Sequence, residues 1–222
     1  CGGCQWQHIA YDEQLRWKRK IVVESLERIA KINNAVDLVR ATTSSPQEWH
    51  YRNRIQLHVR AEKVGFYRAK TNEIVEFEKC FIADERLNQQ LAEQRTQLQK
   101  RDRGIALRLE DVPSFTQINT AQNECLKRIL QELLKNIPHE NVLELYCGAG
   151  NFSFDIAAAA QQLFAVDIDK RAIEIAKKRQ NELKITNINF KSQSAAAFAA
   201  QFAEKCDIIV LDPPRKGAVD TL

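Results

Sequence analysis

Methionine is absent from all 222 residues, position 1 included. A chain opening on Cys1 is expected to be an internal piece of a longer protein. Long apolar runs are absent too: none approaches the ~20 residues of a membrane-spanning helix. No leader peptide, with its charged start and apolar middle, opens the chain. A cytoplasmic location with no membrane partner is therefore expected. Charge of one sign is also scarce, with 33 Lys+Arg against 29 Asp+Glu for a net +4. The small excess is uneven: residues 1–110 carry 20 basic and 15 acidic side chains, residues 111–222 carry 13 and 14. The first half is thus the better candidate for a nucleic-acid face, and a solvated surface has the same composition. Hydrophobic content of 44% and charged content of 28% are those of a globular chain, long enough for one or two domains with an ample core.

The chain is organised around Asn141–Phe154, NVLELYCGAGNFSF. Val142, Leu143 and Leu145 form a short apolar run that ends in Tyr146-Cys147-Gly148-Ala149-Gly150, followed by helix-forming sequence. This order predicts a strand, a glycine turn and a helix start, where a ligand can lie against main-chain N–H groups. A second apolar run, Leu163–Val166, ends in Asp167, 17 residues after Gly150, where a carboxylate can accept from the hydroxyls of a ribose. An NAD-binding α/β fold shares these features, but the third glycine of the dinucleotide pattern is missing, with Phe152-Ser153 in its place. The E-x-x-x-G-x-G turn with its following acid resembles S-adenosylmethionine-dependent methyltransferases.

From residue 142 onward, apolar runs and helical patterns alternate. Strands are expected at 142–146, 162–167, 187–190 and 207–212, and helices near 152–160, 169–183 and 194–204. That alternation predicts an α/β fold, a partial parallel sheet with helices on both faces. Ligands bind such sheets at the carboxyl ends of the strands, where Gly148, Asp167 and Asp212 all fall. Asp212 opens Asp212-Pro213-Pro214-Arg215-Lys216-Gly217, and the prolines fix its carboxylate at the strand end.

The earlier part of the chain reads as a smaller α+β domain. A helix is expected over 11–31, with Leu15, Val22, Leu26 and Ile29 on its apolar side and Arg16, Lys18, Arg19 and Lys20 elsewhere. Val36–Val39, Ile55–Arg60, Val64–Tyr67 and Glu73–Phe77 alternate with period 2 and predict antiparallel strands, with Pro46 and Gly65 near turns. Trp49-His50-Tyr51-Arg52-Asn53-Arg54 mixes aromatics with arginines, which suits unpaired RNA bases and phosphates and equally an ordinary hairpin. A polar helix over 83–103 leads to the expected domain boundary, giving domains 1–104 and 105–222. Ile105–Leu109 reads as a strand, and Thr120 as the N-cap of a helix through Leu134.

Six cysteines complete the inventory. Cys1 and Cys4 stand as C-x-x-C, which in a reducing compartment reads as a metal, cluster or redox site. Two ligands do not complete a site, and Cys80, in a loop-like context, is the best third. Cys125, Cys147 and Cys206 read as small buried hydrophobes.

Together, CGGC with Cys80, W-x-Y-R-N-R, the F-x-Q-x-N turn of Phe115–Asn119, LYCGAGN and DPPRKG resemble the RNA uracil-5-methyltransferases, notably the 23S ribosomal RNA enzymes that carry a [4Fe–4S] cluster. The resemblance implies a Rossmann-like class I methyltransferase domain that makes 5-methyluridine from S-adenosylmethionine. It makes Gln117, Tyr146, Gly148, Gly150, Asn151, Asp167 and Asp212 cofactor contacts, and puts Asp212 also beside the target base. It makes Cys1, Cys4 and Cys80 cluster ligands, with zinc on the same thiols as the alternative. Gln193 stands where the family often has an acid for the adenine. The family's chemistry implies a Cys thiolate adding to uracil C6, methylation at C5, and loss of the C5 proton to a carboxylate. The resemblance puts both that nucleophile and the base C-terminal to the Asp212-Pro213-Pro214-Arg215 strand end, so they are expected beyond Leu222; none of the six cysteines fits the nucleophile, and the chain alone is expected to be inactive. RNA is the implied partner, ribosomal RNA ahead of transfer RNA, with no obligate protein partner. A non-catalytic RNA-binding piece is the second expectation.

Overall fold

A computed structural model of the chain describes residues 1, 3–101, 104–109, 117–135, 137, 140–215 and 217–218. These divide into two compact units, one of the described residues up to 109 with Gln117–Gln122, the other of those from Asn123 onward.

The first unit contains α1 (Tyr11–Arg28), α2 (Ala35–Leu38), β1 (Arg54–Arg60), β2 (Lys63–Tyr67), β3 (Ile74–Glu76), α3 (Glu85–Gln99) and β4 (Ile105–Arg108). Its strands form an antiparallel sheet in the order β3-β2-β1-β4. Along β1, Ile55, Leu57 and Val59 point one way, as a period of two requires. They pack with Val64 and Leu107 against Leu87, Leu91 and Leu98, which recur on one side of α3. The α3 start is fixed by Asp84, whose carboxylate accepts from the Arg86 N–H. Ala61 and Glu62, both with positive φ, make the tight turn between β1 and β2.

Several expectations change here. Val36–Val39 is no strand: α2 is a single helical turn, and Arg19 donates to the Val36 and Val39 carbonyls at 2.6 and 2.9 Å, taking acceptors that a ladder would need. On α1 the buried residue is Val23; Val22 and Ile29 are exposed. Gly65 lies inside β2 rather than at a turn, where a Cβ would fall 2.1 Å from the Val75 carbonyl oxygen. The boundary after Gly104 also moves. β4 pairs with β1, Ile55 opposite Leu107, so Ile105–Arg108 belongs to the antiparallel sheet. An isolated period-2 run does not encode which sheet receives it.

The second unit carries α4 (Thr120–Leu134, counted from Asn123), β5 (Asn141–Leu145), α5 (Ser153–Ala157), β6 (Gln162–Asp167), α6 (Lys170–Glu182), β7 (Ile188–Ser192), α7 (Ala195–Gln201) and β8 (Ile208–Leu211). Its four strands are all parallel, in the order β7-β6-β5-β8. This is the expected α/β sheet, preceded in the chain by the expected α+β unit. On one side of the sheet, Val142, Leu163 and Ala165 meet Ile156 of α5 and Ile173 and Ala176 of α6. On the other, Leu143, Leu145, Phe164 and Val166 meet Ala195, Phe198 and Phe202. Strands covered on both faces read as unbroken apolar runs, and Glu144 is the polar exception. Among the described residues no helix is long and apolar enough to cross a membrane.

Candidate cofactor site

The chain steps from β5 outward through β6 to β7, then returns to lay β8 on the opposite side of β5. A crevice opens at the carboxyl ends where the order reverses, the usual place for a ligand in an open α/β sheet. The glycine loop fills this position. Tyr146, directly after β5, takes a left-handed φ of 66°, unusual for a bulky residue and a form of strain that collects at functional sites. The Cys147 N–H donates to the Val166 carbonyl and the Gly150 N–H to the Cys147 carbonyl, winding the loop tightly. Gly148 and Gly150 both have positive φ, 55° and 81°.

Asp167 fastens this loop. Its Oδ2 accepts from the Gly148 N–H and its Oδ1 from the Asp169 N–H, both at 2.8 Å. A carboxylate has about four acceptor positions, so each oxygen keeps one for a ligand. Asp169 in turn caps α6 by accepting from the Arg171 and Ala172 N–H groups. Asp212 follows β8 and is exposed, its N–H directed to the Leu145 carbonyl. Gly148, Asp167 and Asp212 thus sit at the ends of three adjacent strands.

Beneath the loop, Glu144 is 2% exposed and accepts from the Ser153 hydroxyl at 2.5 Å. Burial pushes its carboxyl up to about 8; the Ser153 hydrogen bond opposes this, and the charges of Asp212 and Asp167 add to it. Cys147 is buried, and its thiol is pushed far up by burial first and then by Glu144 and Asp167. The sequence signal for this pair was a single acid in an apolar strand, with a serine where dinucleotide folds place glycine. Asn151 and Asn123 exchange two amide hydrogen bonds of 2.9 Å, so the Asn151 side chain grips α4.

The other expected residues lie in the first unit. The Gln117 carbonyl accepts from Asn53 Nδ2 at 2.8 Å, and the same amide reaches Thr120 Oγ1 at 3.0 Å. Thr120 is not the cap of α4: Asn119 Oδ1 accepts from the Gln122 N–H and fills that role. Gly2, Phe115 and Lys216 of the sequence motifs lie outside the described residues. Cys1 is exposed, while Cys4 and Cys80 are partly buried. Burial raises the Cys4 thiol, and the nearby Cys80 raises it further. The Cys80 loop is pinned by buried Asn88, which bonds both its N–H and its carbonyl. Among the described residues no three His, Cys, Asp or Glu side chains converge as a metal site. Cys4 lines a cavity of about 810 Å³ with Trp6, Trp49, Tyr51, Arg52 and Gln122. Within it, Arg52 Nε and Gln122 Oε1 are buried with no hydrogen-bond partner among the described residues. The segment 49–54 is mixed: Asn53 is buried, His50, Tyr51 and Arg52 are partly buried, and Trp49 and Arg54 are exposed, with Trp49 edge-on to Phe81 at 6.2 Å.

Comparison with known proteins agrees with this geometry. The chain is 33% identical over 98% of its length to an uncharacterized RNA methyltransferase of Bdellovibrio bacteriovorus, of which it spans 60%. It is 26% identical over its full length to one from Clostridium acetobutylicum, spanning 69% of that protein. Among solved structures, the Pyrococcus abyssi tRNA (uracil-54, C5)-methyltransferase in complex with S-adenosyl-L-homocysteine shares the fold, with a TM-score of 0.70 over 97% of this chain and 70% of that one at 22% identity. The parallel sheet is thus that of the Rossmann-like class I methyltransferases. The profile of the tRNA (uracil-5-)-methyltransferases matches residues 87–221. The chain belongs to that family.

Proposed function

We propose that the chain is the methyl-donor-binding part of an RNA methyltransferase that makes 5-methyluridine. The observation that carries the reading is the closure of the glycine loop on Asp167 at the point where the parallel sheet reverses its order. S-adenosylmethionine, when bound there, would supply an electrophilic methyl group. Asp167 would accept from the ribose hydroxyls with its remaining lone pairs, the N–H groups and carbonyls after Tyr146 would hold the amino-acid end, and exposed Asp212 would face both donor and target base. Gln117, Gly148, Gly150 and Asn151 are proposed as further cofactor contacts, Asn151 through its main chain because its amide is engaged. No cysteine of the second unit suits addition to C6. Cys147 and Cys125 are buried, and Cys206 donates to the Ile208 carbonyl. The chain alone is accordingly expected to bind donor without turnover. Isothermal titration with S-adenosyl-L-homocysteine tests the site: the wild type binds, Asp167→Ala does not, and equal binding by both refutes it.

Cys1, Cys4 and Cys80 are proposed as thiolate ligands of a [4Fe–4S] cluster. The nearness of Cys80 to Cys4, whose thiol it helps to raise, supports two of the three; Cys1 is not gathered with them among the described residues. The absorption spectrum of anaerobically prepared protein separates iron–sulfur from zinc or no metal.

A second reading, RNA capture by the first unit, is favoured by the cavity in which Arg52 Nε and Gln122 Oε1 are buried without a partner among the described residues. Ribosomal RNA is the proposed target, on the strength of the cluster cysteines, with transfer RNA the alternative. Filter binding of both RNAs across a salt series, with Arg52→Gln as control, distinguishes them.

A further inference from the structure

Glu144 has no part in holding the ribose, yet it lies at the centre of the site's electrostatics. Its carboxyl is on the α5 side of the sheet, 2% exposed, directly below the glycine loop. Ser153 at the start of α5 donates to it. From the end of β6 comes Asp167, from the end of β8 Asp212, and from the loop the thiol of Cys147, which feels Glu144 in turn. Every charged group acting on it is negative, and among the described residues none of the three acids forms an ion pair with Lys, Arg or His. Three acids without a cation make a site in which a positive ligand is stabilised and a neutral one is not.

We infer that Glu144 discriminates by charge between the methyl donor and the spent product, giving up its proton when the cationic sulfonium enters. The inference rests on the reading of the site as an S-adenosylmethionine site. The balance is simple. Donor binding releases the carboxyl proton to solvent and leaves a carboxylate near the sulfonium. Methyl transfer converts the sulfonium to a neutral thioether, the carboxylate loses its partner and takes a proton back from solvent. Because the free carboxyl titrates near 8, it is mostly neutral at pH 7. Donor affinity should therefore climb by up to about tenfold per pH unit between pH 6 and 8, with no matching rise for the product.

The test is calorimetric titration of the whole chain with S-adenosylmethionine and with S-adenosyl-L-homocysteine, at several pH values and in buffers of different ionisation heat. Comparison with Glu144→Gln removes the contribution of the ligands' own amino groups. Expected is a proton release of nearly one per donor at pH 7 in the wild type, absent with the product and absent in Glu144→Gln. Ser153→Ala, which removes the hydrogen bond favouring the anion, should move the window to higher pH while leaving the release intact. It also serves as the readout if Glu144→Gln does not fold. Equal proton release by wild type and Glu144→Gln overturns the inference, as does a wild-type pH profile identical for donor and product. Failure of both ligands to bind at any pH overturns instead the reading of the site itself.

Discussion

Gly148 and Gly150 are two residues apart and both left-handed, so replacing each with alanine separates two physical costs. A Cβ on Gly148 meets nothing within 4 Å, which leaves only the cost of a left-handed backbone, about 1–2 kcal/mol. A Cβ on Gly150 lies 2.9 Å from Phe154 Cε2, and 3.4 Å from both the Phe190 ring and Ser153 Oγ. Phe154 and Phe190 pack together at 6.0 Å and Ser153 is fully buried, so the neighbours have little room to yield. Overpacking of this kind adds about 1–3 kcal/mol, for a total of about 2–5 kcal/mol. All three tryptophans, Trp6, Trp17 and Trp49, are in the first unit, so their fluorescence during urea unfolding reports that unit. The second unit is followed by hydrogen exchange of peptides from β5 and β6. Protection there should fall several-fold more in Gly150→Ala than in Gly148→Ala, and product binding should weaken in the same order. If the two variants are equally destabilised, or if Gly150→Ala is silent, the packing described around the loop is wrong.

Other substitutions probe other links. Asn53→Ala removes the hydrogen bonds to Gln117 and Thr120 and should cost about 1–3 kcal/mol, seen as a lower urea midpoint by tryptophan fluorescence. Leu57→Ala, at a position with no exposure, should cost about 2–5 kcal/mol in the same assay, and a loss below ~1 kcal/mol would count against the assigned core. The Glu144 carboxyl is raised in the folded state, so the stability linked to its neutral form is full below the ordinary 4.5 and is lost as pH rises through about 8. Relative to Glu144→Gln, wild-type stability should therefore decline between pH 5 and 8; a flat difference would show that the carboxyl is not held neutral. Cys147 should resist alkylation at pH 8 in the native chain while exposed Cys1 reacts, as peptide mass mapping will show.

The second unit was largely legible because its chemistry is periodic. Apolar runs of four to six residues separated by amphipathic stretches encode a parallel sheet, and the sites fall at strand ends by topology. The first unit was less so. Val36–Val39 alternates like a strand, but the Arg19 guanidinium, 17 and 20 residues away in sequence, takes its carbonyls. Ile105–Leu109 was recognisable as extended, but its partner β1 is some fifty residues earlier, and nothing local records the pairing. The cap of α4 was misplaced by one residue because Asn119 and Thr120 are both good caps, and Asn53 claims the threonine. Glu144 was visible as a letter in the strand; that it is buried, paired with Ser153 and opposed by two further acids depends on three segments meeting.

The Asp167 carboxylate holds main chain with both of its oxygens before any ligand arrives. The group we propose to grip the ribose is therefore the same group that sets the shape of the loop. Replacing this side chain would loosen the loop and remove the proposed handhold in a single step, so the two effects cannot be separated at this position.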